Sequence, residues 1–321
     1  MSARRWRNTK SFLRKRFAVS DRRSTLPLGL AYLMLVGVVF FWSAGIVLVK
    51  GVHESIPPVG LTFWRWMLGA ICMLPIVIPR LKYDLPIMLD RWRFYASMGF
   101  LMIGASALVA VSLNFTTATN AAIVNATQPA MTALVAWVFF HERLTRLQFG
   151  GIIAAVAGIL IMVSEADLQL LLTLRFNPGD MIMLIAVVGY AIYANRLPGL
   201  PRKISFVGGL FAIFLFGGLI QLPIYIVESI AFKTVPLTFE AVGALLVLAV
   251  ITSVIPMFMW NKAVPVVGVN RAAIFVNLMP VFSTIMAILF LGERLFLYHV
   301  AGAVLIFIGI VLVVKSHREQ P

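Results

Sequence analysis

Long apolar stretches, separated by short connections rich in polar residues, glycine and proline, dominate the chain from residue 28 to residue 315. A stretch of about 20 apolar residues is long enough to cross the hydrocarbon core of a bilayer as a helix. The pattern therefore predicts an all-α membrane protein with ten transmembrane helices. The predicted spans are 28–50, 57–79, 95–115, 119–140, 147–164, 178–195, 204–228, 238–261, 270–291 and 296–315.

The second half of the chain repeats the first. Residues 121–163 and 272–314 align without a gap at a shift of 151, and 13 of the 43 positions are identical. The identities include Pro129 and Pro280, and the Glu-Arg-Leu triplets at 142–144 and 293–295. A biased membrane composition would match some alanines and isoleucines, but not a proline and a charged triplet in register. Such a repeat in an apolar chain is typical of transporters with a site between their halves.

The predicted connections are too short to hold a further domain. They include IPP at 56–58, KYDLP at 82–86, FNPGD at 176–180 and RLPGLPRK at 196–203. We divide the chain into a basic tail (1–27), a first repeat of five helices (28–164), a second repeat of five helices (178–315) and a short second tail (316–321).

Charge supports the membrane assignment and orients the chain. Only 12% of the residues are charged, against about 25% in a soluble domain, and the mean hydropathy is +0.97. With a cytoplasmic N-terminus, 21 of the 27 lysines and arginines fall on the cytoplasmic side, and both termini are cytoplasmic. Five spans per half is an odd number, so the two five-helix repeats are predicted to be inverted. The pattern fits a multi-pass protein of a bacterial inner membrane.

The net charge of +15 does not indicate a nucleic-acid partner, because the basic residues are divided among loops that flank the membrane. The N-terminal tail places Trp6, Leu13 and Phe17 on one helical face among arginines and lysines. This pattern suits binding to anionic lipid. The alternative is a partly disordered basic anchor that sets topology.

Residues for catalysis, metal binding or cofactor binding do not form any recognisable motif. The single cysteine, Cys72, lies within a predicted span, and the four histidines lie at span ends or in tails. We therefore expect no enzyme activity, no metal and no cofactor. A membrane-embedded enzyme would need a catalytic cluster near one interface, and a non-transporting receptor would not explain twin prolines within the membrane.

The chain resembles the EamA-type branch of the drug/metabolite transporter (DMT) superfamily over nearly all of positions 28–315. WSAGIVLVK in the first span is similar to the family's W-G-S-N-x-x-x-x-K stretch at Trp42 and Lys50, but departs from it at positions 43–45. Arg65 of TFWRW matches a usual arginine, and both copies of the repeat follow the family pattern that ends P…ER-L. The resemblance implies a ten-helix carrier of small organic solutes that works by alternating access.

Two prolines indicate broken helices. Pro129 and Pro280 lie about halfway along their spans, and each lacks the N–H that would bond to the carbonyl four residues earlier. A free carbonyl within the membrane requires protein, water or ligand as a partner. Asn125 and Asn277 bring amide side chains to the same depth. We predict that the four residues face a central cavity, the alternative being simple kinks for packing.

Aromatic side chains and one arginine complete the predicted substrate site. Trp42, Tyr190, Tyr193 and Trp260 combine an apolar face with a hydrogen-bonding tip, although Trp260 also suits an interfacial anchor. Arg65 lies about eight residues into the second span, where it either holds a substrate carboxylate, extends outward to the membrane surface or bonds backbone carbonyls.

No aspartate or glutamate lies deep in a predicted span, which argues against a proton-driven multidrug or cation exporter and favours neutral, zwitterionic or anionic solutes. Amino acids or related solutes are the predicted substrates, with a multidrug or cation exporter as the alternative.

Glu142 and Glu293 are interpreted as structural or gating ion pairs with neighbouring arginines. The glycines at 151 and 158, and at 302 and 309, indicate close helix packing within a monomer or, less simply, a homodimer face.

Overall fold

The computed structural model describes residues 26–140, 145–167, 177–201, 203–267, 275–276 and 278–316. Within these ranges the regular structure is helical. The helices are α1 (Leu28–Val52), α2 (Pro58–Asp90), α3 (Trp92–Ser112), α4 (Ala118–Asn125), α5 (Gln128–Phe140), α6 (Arg146–Val163), α7 (Pro178–Arg196), α8 (Phe206–Ala231), α9 (Phe239–Leu246), a π-helix (Val247–Val254), α10 (Ile255–Val267), α11 (Met279–Leu291) and α12 (Leu297–Ser316).

Among the described residues, six helical segments are long and apolar enough to cross a membrane, and the bent pair α4 and α5 makes a seventh. The segment formed by α9, the π-helix and α10 counts as one of the six. The apolar helices in the predicted spans at 147–164, 270–291 and 296–315 are shorter in their described parts. The protein is thus an all-helical, multi-pass membrane protein.

The predicted connection at 82–86 is wrong, because α2 continues through it to Asp90 despite internal prolines at 75, 79 and 86. The physical reason lies in Asp84, which sequence reasoning treated as a loop residue. Its carboxylate is buried and accepts hydrogen bonds from the backbone N–H and the hydroxyl of Ser205, at the start of α8. This contact holds the last turns of α2 against α8.

Two carboxylates tie α2 and α8 together reciprocally. Asp84, near the C-terminal end of α2, binds Ser205, the N-cap of α8. At the other end of the pair, Glu228 in the last part of α8 accepts hydrogen bonds from the N–H groups of Val59 and Gly60, at 3.0 and 2.6 Å, in the first turn of α2. Each carboxylate satisfies N–H groups that have no partner within their own helix, and each is favoured by the helix dipole.

The buried core has two main parts. One joins α1 and the bundle around α4, α7 and α11, and the other joins α2, α3 and α8. Outside them, α6 packs along α12 through glycines. A Cβ atom at Gly158 would lie 2.7 Å from the carbonyl oxygen of Gly302, and one at Gly309 would overlap the carbonyl of Gly151. The glycines of α6 and α12 thus allow the two backbones to approach each other closely within the chain.

This packing predicts that Gly158→Leu destabilises the protein. The side chain meets backbone of α12, which cannot move aside as a side chain can, and overpacking of this kind costs about 1–3 kcal/mol or more. We expect a clear fall in the apparent melting temperature of the detergent-solubilised protein. Gly150→Leu is the matched control on the same helix, because nothing lies within 4 Å of a Cβ atom there. Equal melting temperatures for the two variants would contradict the close α6–α12 contact.

Candidate functional site

A cavity of about 910 Å³ lies between the helices of the two halves. Its walls come from α1 to α8, the π-helix, α10 and α11. A cavity of this size accommodates a small organic molecule.

Among the described residues, the lining is exposed toward one end of the cavity and buried toward the other. At the open end, defined here by residues 197–201 and 203–206, the lining residues Leu197 and Phe206 are 40% and 46% exposed. At the closed end, defined by residues 113–117 and 292–296, the lining residues Val49 and Ala110 are buried. The two ends are connected by α7, whose first turn contacts Ser112 and whose last turn leads to the segment that contacts Phe94.

A broken helix borders the cavity, as the prolines predict. α4 ends at Asn125 and α5 begins at Gln128, with a bend of 45° between them. Pro129 is the second residue of α5 and lines the cavity, while Pro280 is the second residue of α11. Proline suits the first turn of a helix, where its missing N–H would have no partner within the helix. Both prolines thus begin a new helix inside the predicted span.

Asn125 lines the cavity and carries a buried acceptor that has no partner among the described residues. Its side chain is buried, and its Nδ2 lies 3.3 Å from the sulfur of Met279, in the second half of the chain. Its Oδ1 has no hydrogen-bond partner among the described residues. A buried amide oxygen without a partner is costly, so this atom is suited to accept a hydrogen bond from a bound solute or water.

Arg65 is the one charged side chain among the described residues that line the cavity. Its Nε donates to the hydroxyl of Ser253 at 2.8 Å, and Nη2 lies 3.4 Å from the carbonyl oxygen of Thr252. The guanidinium also stacks over the ring of Trp66, 5.0 Å from the centroid. These contacts use part of the five N–H donors and orient the group, and the remaining donors bond to none of the described residues, so they can bind an anion.

The π-helix supplies the anchor for Arg65. The hydroxyls of Thr252 and Ser253 both donate to the carbonyl of Leu248, at 2.9 and 2.8 Å. The Ser253 oxygen then accepts from Arg65 while its proton is engaged with Leu248. A π-helix inside a longer helix often marks a functional site, because it changes which side chains face one direction. Here the hydroxyl of Ser253 and the backbone carbonyl of Thr252 both face Arg65 on α2.

Aromatic rings form the apolar part of the lining. The rings of Trp42 and Trp260 pack against each other, with centroids 5.5 Å apart. Tyr190 lies close enough to Arg65 for the two to interact electrostatically, and Tyr193 lines the cavity one turn later on α7. Trp260 is half-buried and lines the cavity beside Trp42.

The structure brings most of the predicted site residues together. The cavity is lined by Trp42, Arg65, Asn125, Pro129, Tyr190, Tyr193 and Trp260. Pro280 is not among the lining residues, although Met279 beside it is. Asn277 lies outside the described residues.

Several polar lining residues were not predicted from the sequence. They are Thr62, Ser106, Gln128, Thr132, Gln148, Asn195, Thr252 and Ser253. The adjacent Thr252 and Ser253 within an otherwise apolar span were the available signal. Their direction depends on the π-helix, which α-helical periodicity does not predict.

The comparisons with known proteins agree with this architecture. The sequence model of the EamA-like transporter family matches residues 29–164 and again residues 177–315. The chain therefore belongs to the EamA-like transporter family, part of the DMT superfamily, and its general role is transport.

Two proteins that are similar to this chain over most of their length are named uncharacterized transporters. The uncharacterized transporter YyaM of Bacillus subtilis is 27% identical over 288 residues, which cover 87% of this chain and 92% of that protein. An uncharacterized transporter of Archaeoglobus fulgidus is 24% identical over 90% of this chain and 98% of that protein. A solved crystal structure matches 90% of this chain and 99% of its own, with a TM-score of 0.57 and 16% identity, and so supports the fold alone.

The cavity predicts a pattern of cysteine reactivity. In a Cys72→Ser background, we expect Ala133→Cys and Ala194→Cys, both in the lining, to react with a small hydrophilic thiol reagent in the membrane-embedded protein. The matched control is Ala212→Cys on α8, which is fully buried outside the cavity and should stay unreacted. A reagent that modifies the control as fast as the lining positions would show that this cavity is not a distinct aqueous space.

Proposed function

We propose that the protein is a secondary transporter that moves small carboxylate-bearing metabolites, with amino acids and related solutes as the first candidates, across the inner membrane by alternating access. The observation that carries this proposal is Arg65, a cation that lines the cavity without any aspartate or glutamate among the described lining residues. The proposal treats the cavity as the solute site and its lining as the source of selectivity.

Electrostatics supports a solute with a carboxylate. Charge interactions inside a protein are much stronger than in bulk water, so a single cation in a cavity attracts anions and repels cations. Arginine offers a planar pair of donors that fits a carboxylate. A multidrug or cation exporter, the alternative reading of the sequence, would need a negative group at the site, and the described lining does not supply one.

The remaining lining suits a zwitterion with an apolar body. The unpaired Oδ1 of Asn125 is an acceptor for an ammonium or hydroxyl group of the solute. The rings of Trp42, Trp260 and Tyr193 offer apolar surface for the rest of the molecule. This division between a donor at Arg65, an acceptor at Asn125 and aromatic surface favours amino-acid-like solutes over purely anionic ones.

Matched helix contacts support the two inverted five-helix repeats (28–164 and 178–315). α1 packs against α10 and α11, and α7, its counterpart in the second half, packs against α3 and α5, the counterparts of α10 and α11. The pairs α2–α8 and α6–α12 are each formed by counterpart helices. An exchange of the two halves therefore leaves this set of contacts unchanged, as a two-fold relation requires. The double match to the family model supports the same division.

The open end carries basic residues such as Arg196 and Lys203, and we assign it to the cytoplasm by the positive-inside rule. On this assignment both termini are cytoplasmic, and the structure corresponds to an inward-facing state.

Four further expectations stay predictions from the sequence. They are the binding of the N-terminal tail to anionic lipid, a monomeric or homodimeric state, the lack of a nucleic-acid partner and the lack of enzyme activity. Residues 1–25 of the tail lie outside the described ranges.

The proposal predicts a selective defect for Arg65 variants. In proteoliposomes made from pure protein, a panel of labelled amino acids and metabolites should include transported carboxylate-bearing solutes. Arg65→Gln should raise their half-saturating concentration by roughly tenfold or more, since a hydrogen bond to a charged group contributes about 1.5–3 kcal/mol. Arg65→Lys should be impaired as well, because an ammonium does not reproduce the planar fork.

The matched control for these variants is Arg80→Gln, an exposed arginine on the same helix and outside the cavity. An equal loss for carboxylate-bearing and neutral solutes would assign Arg65 a structural role through Ser253 and Thr252. Preference of the wild-type protein for organic cations would contradict the proposed substrate class.

The proposed orientation predicts which loops react from each side. With Cys72→Ser, Leu237→Cys at the closed end, where the wild-type side chain is 93% exposed, should react with an impermeant thiol reagent applied outside intact cells. Asp90→Cys, at the end of α2 with a side chain that is 78% exposed, should react only after permeabilisation. The opposite labelling pattern would reverse the topology.

A further inference from the structure

The closed end holds a carboxylate from the second half against a helix of the first half. Oε1 of Glu293 accepts a hydrogen bond from the N–H of Ala118 at 2.7 Å. Oε2 accepts from the N–H of Thr119 at 3.0 Å and from its hydroxyl at 2.7 Å. The sequence led us to expect an ion pair with a neighbouring arginine. The carboxylate instead binds the first turn of α4, which is distant in the chain.

Local geometry aims Glu293 at this position. Gly292, with φ of 67°, ends α11 in the left-handed region, which glycine adopts without strain. The chain reverses there, and the next side chain points back toward α4. The N-terminus of α4 is then fully capped, because the Thr117 hydroxyl oxygen accepts from the N–H of Asn120 while Glu293 accepts from the two preceding N–H groups.

A histidine fastens the same loop a second time. Nδ1 of His299 accepts from the backbone N–H of Phe296 at 3.0 Å, so the ring proton is on Nε2, which donates to Oδ1 of Asn120 at 2.8 Å. Loop 292–296 of the second half is thus fixed to α4 of the first half at two points, directly beyond the buried end of the cavity.

The contacts between the halves differ in whether they must change during alternating access. α2 and α8 are held by a carboxylate at each of their two ends, so this pair can stay intact whichever end is open. The Glu293 contact lies at the closed end, and the cavity cannot open there while loop 292–296 is bound to α4. The sequence repeat places Glu142 at the corresponding position of the first half, and that residue lies outside the described ranges.

We infer that Glu293 is a gating residue of the transport cycle: its carboxylate, bound to Ala118 and Thr119, keeps the closed end shut, and its release precedes opening there. This inference rests on the proposed function, since it concerns the alternating access of the same cavity. Release transfers two backbone N–H groups from a carboxylate to water, so opening is accompanied by hydration of the first turn of α4. Charge-assisted hydrogen bonds are about twice as strong as neutral ones, so the Glu293 contact can stabilise the closed conformation of this end.

The test measures access to the cavity from both sides without any solute. The full chain carries Cys72→Ser and one added cysteine in the cavity lining. Val49→Cys measures access near the closed end, and Ala194→Cys measures access near the open end. An impermeant thiol reagent is applied to right-side-out and to inside-out membrane vesicles. Because both sides are probed, the result does not depend on the assignment of the membrane orientation.

Glu293→Gln keeps the size of the side chain and removes its charge. We expect the cysteine at position 49 to be labelled about tenfold faster from the closed-end side. This factor corresponds to the loss of one hydrogen bond to a charged group. Labelling at position 194 from the open-end side should become slower. The reason is that more molecules then adopt the state that is open at the other end and shut at this one. Glu240→Gln, which changes an exposed carboxylate at the start of α9, is the matched control and should change neither rate.

A milder pair of variants guards against misfolding of Glu293→Gln. Thr119→Val removes one of the three hydrogen bonds, so it should change the two labelling rates in the same direction but by less. Thr119→Ser keeps the hydroxyl and should label at the wild-type rates. Faster labelling at both positions would indicate general loosening and would overturn the inference, as would rates equal to those of Glu240→Gln. If the reciprocal shift occurs but no carboxylate-bearing solute is transported, the gate stands and the proposed substrate class fails.

Discussion

The structure depends on the satisfaction of helix N-termini by carboxylates from other helices. A helix start buried within the protein has no water for its first N–H groups, so it requires an internal acceptor. Glu228, Asp84 and Glu293 each supply one, and each joins the first half of the chain to the second. The interactions that solve a local hydrogen-bonding problem are therefore the same ones that hold the two halves around the cavity.

These ties are of two kinds, and the difference gives the fold its capacity to move. The α2–α8 pair is fastened at both ends, and α6 and α12 are pressed together through glycines so that their backbones are in contact. Such contacts tolerate little change. Glu293, by contrast, binds its helix from a loop that follows a left-handed glycine, and a loop can leave without disturbing the packed helices. A rigid frame and a releasable contact are together what alternating access requires.

The cavity shows how the same physical constraint shapes selectivity. A helix broken at 126–127, a π-helix at 247–254 and an arginine held by that π-helix all place polar groups in an apolar environment. Arg65 is oriented by Ser253 and Thr252, and the Oδ1 of Asn125 has no partner among the described residues. Under the proposed function, backbone irregularity thus preorganises the groups that bind the solute.

The sequence by itself determined the class of protein, the approximate helices and seven residues of the cavity wall. Apolar length, the positive-inside bias and the repeat are local properties, and they survive folding because the bilayer leaves helices as the available structure. Trp42, Arg65, Asn125, Pro129, Tyr190, Tyr193 and Trp260 were found as polar or helix-breaking residues in apolar surroundings, and all seven line the cavity.

Tertiary structure alone decided the partners. α2 continues past Lys82 because Asp84 finds Ser205 on α8, and Glu293 binds α4 in preference to an arginine nearby in sequence. The direction of Ser253 depends on a π-helix that no periodicity indicates. In each case the residue type showed that a polar contact was needed, but its partner lay more than 100 positions away in the chain, and the packing of the halves determined which group was within reach.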